Sequence, residues 1–426
     1  MKNDKYQKMR DCINPALYLI LLLCAVMALL FLLIAGNNTF AQSIIPRFAE
    51  LSVNEGLSQS SVYAIYQDKA GYLWIGTADG LNRYDGKEIK VYKPVIKQSE
   101  AGFSNFIRGN VCEDKNSNLW YVNGTGIFCY NRLKDSIDVV YYYKDNTHLE
   151  ERLVFVDSAQ ILWSFNINRG ISSYNSSNGE MRMYPFPFAL PKNMRSGDLY
   201  HHIGNRIFFS VSAYFKDGYY IFDTETKKYQ HVEDGKQVSN IFSYGKNAFA
   251  QIEGDSFVVN TMDLVSVKKI PLPSIPKIGK YIYHIVPDNY GRIWVATANN
   301  GLFCYREKDK KYVHYTHNNA HQQSLSFNLI RTLFIDRNEN LWIGTDGGGL
   351  SRLDLKPAKF NLFPLNEGDY PFLKDYFTKC FYEDEQGKIW AGTLSGLNIL
   401  NPKDYSVKNY RYDASDANSL PGNYVT

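Results

Sequence analysis

Three histidines lie close together in the sequence, His314, His317 and His321. Imidazoles bind a transition metal when the fold brings their nitrogens to one ion. The stretch that holds these histidines is polar and separates two segments with strand-like patterns, so we expect it to be a solvated loop. The sequence therefore predicts no metal site and no bound cofactor.

Six aspartates recur along the chain, and paired carboxylates are the catalytic groups of many glycoside hydrolases. Each of these aspartates precedes a tryptophan by six residues, which places it at one fixed point of a repeated unit. The pairs are Asp68 with Trp74, Asp114 with Trp120, Asp157 with Trp163, Asp288 with Trp294, Asp336 with Trp342, and Asp384 with Trp390. We expect the aspartates to form turns and the tryptophans to fill the core between neighbouring sheets.

The sequence contains no Gly-x-Ser-x-Gly, no His-Glu-x-x-His and no phosphate-binding loop. Its 47 Lys and Arg nearly balance its 43 Asp and Glu, for a net charge of +4. This balance argues against a polybasic nucleic-acid binder, and we expect no direct contact with nucleic acid. No catalytic residue is assigned, and the chain is not expected to be an enzyme.

The tryptophans mark an internal repeat of about 44 residues. Two further units of this period lack the tryptophan and lie near Phe208 and Phe249. In the first unit, strand patterns cover residues 62–67, 72–77, 81–84 and 88–92, separated by turns rich in Asp and Gly. Four short strands per unit predict an all-β protein built from the four-stranded antiparallel blades of a β-propeller.

The segments that precede the units indicate where a ring of blades would close. Residues 46–51 stand one strand before the first unit, and a propeller often closes by adding such a strand to its last blade. A similar stretch, 359–363, precedes the unit of Trp390. We therefore expect a closed seven-bladed propeller over 44–357, with 46–51 paired into the blade of Trp342. A single ring of eight blades is the alternative.

Residues 358–426 are then the start of a second propeller. The last residues, 418–426, resemble 323–331, which lead into the first strand of the blade of Trp342. The second propeller is therefore expected to be incomplete, as in a truncated chain, a split gene or an incomplete reading frame.

The N-terminus has the features of an export signal. Basic residues up to Arg10 precede an apolar stretch over 16–35, and Ala41 suits cleavage before Gln42. Residues 1–41 are thus a signal peptide or, because the stretch is long enough to span a bilayer, an uncleaved anchor in the inner membrane. In both cases the remainder is expected outside the cytoplasm, in the periplasm.

A binding site on a propeller is expected where the loops between second and third strands gather at one mouth of the central channel. Asn, Asp and Arg suit sugar hydroxyls or carboxylates, and a tyrosine ring can stack on a sugar. The candidates in these loops are Asp79, Asn168, Arg169, Tyr214, Lys216, Asn299 and Asp346.

The segments 61–68, 73–77 and 80–85 closely resemble the two-component-regulator propeller repeat, and 48–58 is similar to the lead-in of that family's sensor regions. The resemblance covers about 48–426. It implies the periplasmic sensor region of a hybrid two-component system that recognises an oligosaccharide and regulates glycan-utilisation genes. It also implies a homodimer in the full-length sensor.

Family members continue into a β-sandwich, a transmembrane helix, a histidine kinase, a receiver and a DNA-binding domain. This sequence has no second transmembrane run and no kinase or receiver motif, so those output domains are absent from this chain. Two other functions stay open: a secreted propeller enzyme acting on polysaccharide, and an exported scaffold for protein partners.

Overall fold

The fold is all-β, and the computed structural model describes it over residues 47–94, 104–143, 148, 150–188, 200–209, 219–232, 238–245, 247–275, 278, 282–319, 323–356, 377–401 and 406–426. Strands of these residues form eight antiparallel sheets of four strands each. The chain divides into two compact units. The first, Pro46–Pro357, holds seven sheets, and the second, which includes Ala358–Thr426, holds the eighth. The first strand, β1 (Ala49–Leu51), is followed by a short 3-10 helix, Val53–Glu55.

The first three sheets are each built from four strands that follow one another in the chain. Sheet 1 contains β2 (Val62–Gln67), β3 (Leu73–Thr77), β4 (Gly80–Tyr84) and β5 (Ile89–Tyr92). Sheet 2 contains β6 (Cys112–Glu113), β7 (Leu119–Asn123), β8 (Gly126–Asn131) and β9 (Ser136–Tyr142). Sheet 3 contains β10 (Glu151–Val156), β11 (Ile161–Asn166), β12 (Gly170–Asn175) and β13 (Met181–Pro185).

The next three sheets have the same order. Sheet 4 contains β14 (Tyr200–Ile203), β15 (Arg206–Phe209), β16 (Tyr219–Asp223) and β17 (Lys228–Val232). Sheet 5 contains β18 (Val238–Ser243), β19 (Ala248–Glu253), β20 (Ser256–Thr261) and β21 (Ser266–Pro271). Sheet 6 contains β22 (Ile282–Pro287), β23 (Arg292–Thr297), β24 (Leu302–Arg306) and β25 (Lys311–Tyr315).

Sheet 7 takes its outer strand from the start of the first unit, whereas sheet 8 is again sequential. Sheet 7 contains β26 (Ile330–Ile335), β27 (Asn340–Thr345), β28 (Leu350–Asp354) and β1. Sheet 8 contains β29 (Thr378–Glu383), β30 (Ile389–Thr393), β31 (Gly396–Leu400) and β32 (Val407–Tyr410).

In each of the six sequence repeats, a hydrogen bond joins the aspartate to the tryptophan, which explains their fixed spacing. The indole Nε1–H of Trp74 donates to Oδ2 of Asp68 at 2.9 Å, and the same bond joins all six pairs at 2.8–2.9 Å. The other carboxylate oxygen of Asp68 accepts from the backbone N–H of Tyr72 at 2.9 Å. Each aspartate thus shapes the turn after the first strand and anchors the tryptophan. The five tryptophans of Pro46–Pro357 are buried, while Trp390 in sheet 8 is only half-buried.

A glycine stands at the start of the third strand in six sheets because the backbone of the fourth strand passes close to it. A Cβ on Gly170 would lie 2.2 Å from the carbonyl oxygen of Tyr184 on β13, and its φ of +127° also disfavours a side chain. In sheet 7, a Cβ on Gly349 would lie 2.5 Å from the carbonyl oxygen of Leu51 on β1. The β1 strand therefore occupies the place that the fourth strand takes in the sequential sheets.

The strand β1 pairs with β28 as the sequence predicts. Ala49 lies opposite Arg352 and Leu51 opposite Leu350 in antiparallel register. The preceding Phe48 is buried in the core that sheets 6 and 7 share, and its N–H donates to the carbonyl of Gln323 at 3.0 Å. The expected pairing into the blade of Trp342 is confirmed for Ala49–Leu51.

The first strands of the sheets lie side by side within the first unit. The β2 strand packs beside β26, β26 beside β22, β22 beside β18, β18 beside β14, and β14 beside β10, which lies beside β6. Sheets 1 and 2 share an apolar core that includes Trp74, Leu119 and Phe128. Apolar side chains fill the space between neighbouring sheets, which is the packing of propeller blades.

Sheet 8 repeats the blade pattern but leaves large apolar side chains exposed. Trp390 donates to Asp384 at 2.8 Å, as in the other units. Phe377, Phe381 and Tyr382 on or beside its first strand are 64–68% exposed. The stretches 1–41 and 359–363 lie outside the described residues, and no helix of the described part is long and apolar enough to cross a bilayer.

Candidate functional site

Three of the predicted binding residues lie in turns between second and third strands. Asp79 accepts from Nζ of Lys93 at 2.6 Å and from Nδ2 of Asn105 at 3.1 Å. Asp79 therefore binds one residue that follows sheet 1 and one that precedes sheet 2. Asn168 and Asn299 are exposed turn residues. The role of all three in binding stays a prediction. Tyr214 and Lys216 lie outside the described residues.

Asp346, a fourth predicted residue, is the centre of a polar cluster between sheets 1 and 7. Arg331 donates to its Oδ2 through Nε at 3.0 Å and Nη2 at 2.6 Å, and the hydroxyl of Ser61 donates to Oδ1 at 2.6 Å. Burial alone would raise the pKa of Asp346, but the hydrogen bonds from Ser61 and Arg331 hold it below its usual value. Asp346 is therefore an ionised acceptor at neutral pH.

Aromatic rings surround the Arg331 guanidinium. Its carbon lies 5.7 Å from the ring centroid of Tyr63 and 5.1 Å from that of Tyr283, within cation–π range. Tyr63 packs edge-on against Phe106 with 4.8 Å between the centroids. The side chains of Arg331, Tyr63, Tyr283 and Phe106 are all half-buried, so parts of the rings and of the guanidinium remain accessible. We call Ser61, Tyr63, Tyr283, Arg331 and Asp346 the Arg331 cluster.

A shared backbone irregularity aims three side chains of this cluster. Tyr63, Tyr283 and Arg331 are each the second residue of a first strand, at the point where its register with the second strand shifts. Such a bulge leaves one residue without a cross-strand partner and redirects its side chain, and bulges are frequent beside functional sites. Several sheets therefore have a residue at this position whose side chain is not part of a cross-strand pair.

A second charged group lies next to the Arg331 cluster. Glu150 Oε2 accepts from Nη2 of Arg152 at 2.8 Å and from Nη1 of Arg108 at 3.5 Å. The Arg108 guanidinium lies 5.8 Å from the ring centroid of Phe106, which in turn contacts Tyr63. We call Arg108, Glu150 and Arg152 the Arg108 triad.

The extended segment 104–111 positions Arg108 between two sheets. Its Ile107 N–H donates to the carbonyl of Thr77 in sheet 1, and its Asn110 N–H donates to the carbonyl of Leu153 in sheet 3, both at 3.0 Å. These two hydrogen bonds hold the backbone on both sides of Arg108 and so fix the position of that residue.

Arg169, a fifth predicted residue, belongs to a buried network in sheet 3. Its Nη1 lies 2.6 Å from Nε2 of His148, and Nδ1 of that imidazole lies 3.4 Å from Oε2 of Glu151. Glu151 also accepts from Oγ of Ser164 at 2.6 Å and from Nδ2 of Asn166 at 3.0 Å. Arg169 is thus bound within the protein rather than projecting freely from its loop.

Burial alone would raise the pKa of Glu151, but hydrogen bonds from His148, Ser164 and their neighbours hold it below the ordinary 4.5. A carboxyl whose pKa is lower in the folded state stabilises the fold above its unfolded pKa and loses that contribution as the pH falls through the folded value. We expect Glu151→Gln to reduce the free energy of unfolding by about 1–3 kcal/mol at pH 7, and by less below pH 4.5. Urea denaturation of both proteins at pH 7 and pH 4 tests this, and an equal difference at both would contradict it.

The described contacts connect the Arg108 triad to Asp346 through a row of side chains. From Arg108 they pass through Phe106 and Tyr63 to Asp346. One predicted loop residue, Asp346, therefore lies at the end of a surface of charged and aromatic groups. Arg169 contacts the separate, buried network of His148 and Glu151.

Sequence reasoning missed most members of this surface because it searched the loops alone. Tyr63, Tyr283 and Arg331 come from first strands, and Phe106 and Arg108 from the segment before a first strand. A signal was available at the bulge position, where Val62-Tyr63-Ala64 corresponds to Ile330-Arg331-Thr332. An arginine directly after the buried Ile330 of a core strand indicates a side chain that does not pack in the core.

The other chemical candidates are engaged within the protein. Nε2 of His314 donates to the carbonyl of Asn300 at 2.6 Å, and Nδ1 of His317 donates to the carbonyl of Leu325 at 2.7 Å. His321 lies outside the described residues. A cavity of about 660 Å³ lies between first strands near the aspartate turns, lined by residues that include Ala64, Asn110, His284 and Arg337.

The sequence pattern of a known repeat family matches this chain. The pattern described as the two-component regulator propeller fits residues 56–79, 276–299, 324–347 and 371–395. The chain carries two-component regulator propeller repeats. Three of these matches lie in sheets 1, 6 and 7, which supply the Arg331 cluster, and the fourth lies in sheet 8.

Known proteins with similar sequence or structure include a histidine kinase and extracellular domains of two-component systems. A histidine kinase from Formosa agariphila is 48% identical over 59 residues, which is 14% of this chain and 4% of that protein. The extracellular domain of a hybrid two-component system from B. thetaiotaomicron is 20% identical, with a TM-score of 0.55 over 88% of this chain and 57% of that one. A second such domain from B. thetaiotaomicron is 18% identical, with a TM-score of 0.54 over 87% and 54%.

At these identities the likeness to the two solved domains shows a common fold. The chain spans little more than half the length of each of them.

Proposed function

We propose that this chain is the ligand-sensing region of a periplasmic two-component signalling protein. In this proposal, residues 44–357 form a closed seven-bladed propeller, residues 358–426 begin a second one, and 1–41 direct export. The pairing of β1 with β28 and the side-by-side first strands support the ring. The matched repeats and the extracellular domains with the same fold support the sensor role.

The ligand in this proposal is an oligosaccharide, and the signal regulates glycan-utilisation genes through a histidine kinase and output domains beyond this chain. The observation that carries it is the surface formed by the Arg331 cluster and the Arg108 triad. It combines half-buried aromatic faces, on which sugar rings stack, with ionised groups that hydrogen-bond sugar hydroxyls. Such a surface departs from the repeat, as a ligand site must.

Calorimetric titration of the exported chain with a panel of oligosaccharides tests the proposal, followed by product analysis of each mixture. We expect at least one oligosaccharide to bind and to remain intact. Tyr63→Ala should weaken that binding by about 1–3 kcal/mol, because it removes a ring and a hydroxyl from the surface. Tyr290→Ala is the matched control, since Tyr290 is an exposed tyrosine in the turn of Asp288 and should leave affinity unchanged.

Other outcomes distinguish the competing functions. Shortened or unsaturated products would identify a polysaccharide-degrading enzyme and overturn the sensor proposal. An absence of binding across the panel would leave an exported scaffold for protein partners as the better account.

A further inference from the structure

The Arg108 triad carries more positive than negative charge. Two guanidinium groups, Arg108 and Arg152, share one oxygen of a single carboxylate, Glu150. The neighbouring Arg331 cluster is balanced, because Asp346 faces Arg331 in a two-bond pair.

Arg108 has most of its hydrogen-bonding capacity unused. A guanidinium carries five N–H donors. Within the described residues, Arg108 makes one hydrogen bond, through Nη1, which is long at 3.5 Å. Its Nε is buried and has no partner, so a ligand would reach Arg108 through the terminal nitrogens of the guanidinium. Its side chain is 29% exposed, whereas that of Arg152, which makes the 2.8 Å bond to Glu150, is 5% exposed. Arg108 is therefore the member of the triad that a ligand can reach.

The surroundings of Arg108 favour an anion attached to a ring. The Phe106 ring lies beside the guanidinium and Tyr63 lies beyond it, so an apolar face adjoins the unused donors. A planar guanidinium fork matches the two oxygens of a carboxylate and binds them more strongly than it binds neutral hydroxyls. A free inorganic anion would make no use of the adjoining rings.

We infer that the ligand of this surface is an acidic oligosaccharide whose carboxylate is bound by Arg108 while a sugar ring packs on Phe106 and Tyr63. The inference rests on the proposed function and specifies its ligand class as uronate-containing rather than neutral. Specificity would come from Arg108, because a neutral sugar offers no charged acceptor to its unused N–H donors.

The test uses the exported full chain and oligosaccharides from pectin, alginate and hyaluronan digests. Each digest is titrated as prepared and after chemical reduction of its carboxyl groups to primary alcohols. We expect binding in at least one untreated digest, at least about tenfold weaker binding after reduction, and a loss of that preference in Arg108→Gln. Arg182→Gln is the control, since Arg182 lies on the exposed outer strand β13 and pairs with Glu180.

The outcomes separate this inference from the function on which it rests. Equal binding before and after reduction, binding to neutral oligosaccharides alone, or an unchanged preference in Arg108→Gln would overturn the acidic ligand and leave the sensor proposal standing. Binding to no acidic and no neutral oligosaccharide would overturn both. Circular dichroism of Arg108→Gln checks that the variant is folded before its preference is judged.

Discussion

Replacing Trp74 by alanine is expected to lower the free energy of unfolding of the first unit by about 3–5 kcal/mol. Trp74 is fully buried, and it contacts Tyr92 and Tyr130 at centroid distances of 5.6 and 4.6 Å. Its removal leaves a cavity between sheets 1 and 2 and deprives the buried Asp68 carboxylate of the indole N–H. Urea denaturation followed by circular dichroism measures the effect.

Trp390→Ala is the matched control, because Trp390 makes the same bond to Asp384 but is only half-buried. We expect it to change the unfolding of the first unit little. A Trp74→Ala protein as stable as the parent would contradict the core role and make Trp74 a candidate for ligand contact.

Replacing Gly349 by alanine is expected to displace β1 from sheet 7. The new Cβ would lie 2.5 Å from the carbonyl oxygen of Leu51, at a φ of +70° that already disfavours a side chain. Together these effects should reduce the free energy of unfolding by about 2–4 kcal/mol. Hydrogen exchange should show the change first in the amides of Ala49–Leu51, which pair with β28.

Gly86→Ala separates the clash from the backbone strain. Gly86 has a φ of +102°, but a Cβ added to it would meet no atom within 4 Å, so only strain acts there. We expect a smaller loss of stability and unchanged exchange in β1. If both variants behaved alike, the close approach of β1 would not be the reason why position 349 requires a glycine.

The repeat could be predicted because it depends on local chemistry that recurs. The spacing of Asp and Trp follows from one hydrogen bond within a single turn, so it is found in six repeats. The outer place of β1 could be predicted because residues 46–51 stand one strand before the first repeat, and propellers often add such a strand to their last blade.

The candidate site could be predicted only in part, because it depends on neighbouring blades. Asp346 and Arg169 were found as charged residues in turns, but their partners come from other strands. Ser61 and Asp346 meet although 285 positions separate them in the chain. The bulges that redirect Tyr63 and Arg331 follow from strand register, which a single sequence does not reveal.

The remote origin of β1 also sets an order of events during folding. Sheets 1 to 6 consist of consecutive strands, so each can form as soon as its own residues are available. Sheet 7 cannot be completed until β28 meets β1, which lies about 300 positions earlier in the chain, and contacts of such long range are expected to close slowly. Until then β1 is unpaired and β28 has one unpaired edge, and such edges can pair with strands of other chains. The protection of the folding chain against aggregation is therefore most needed between the synthesis of Leu51 and that of Leu350.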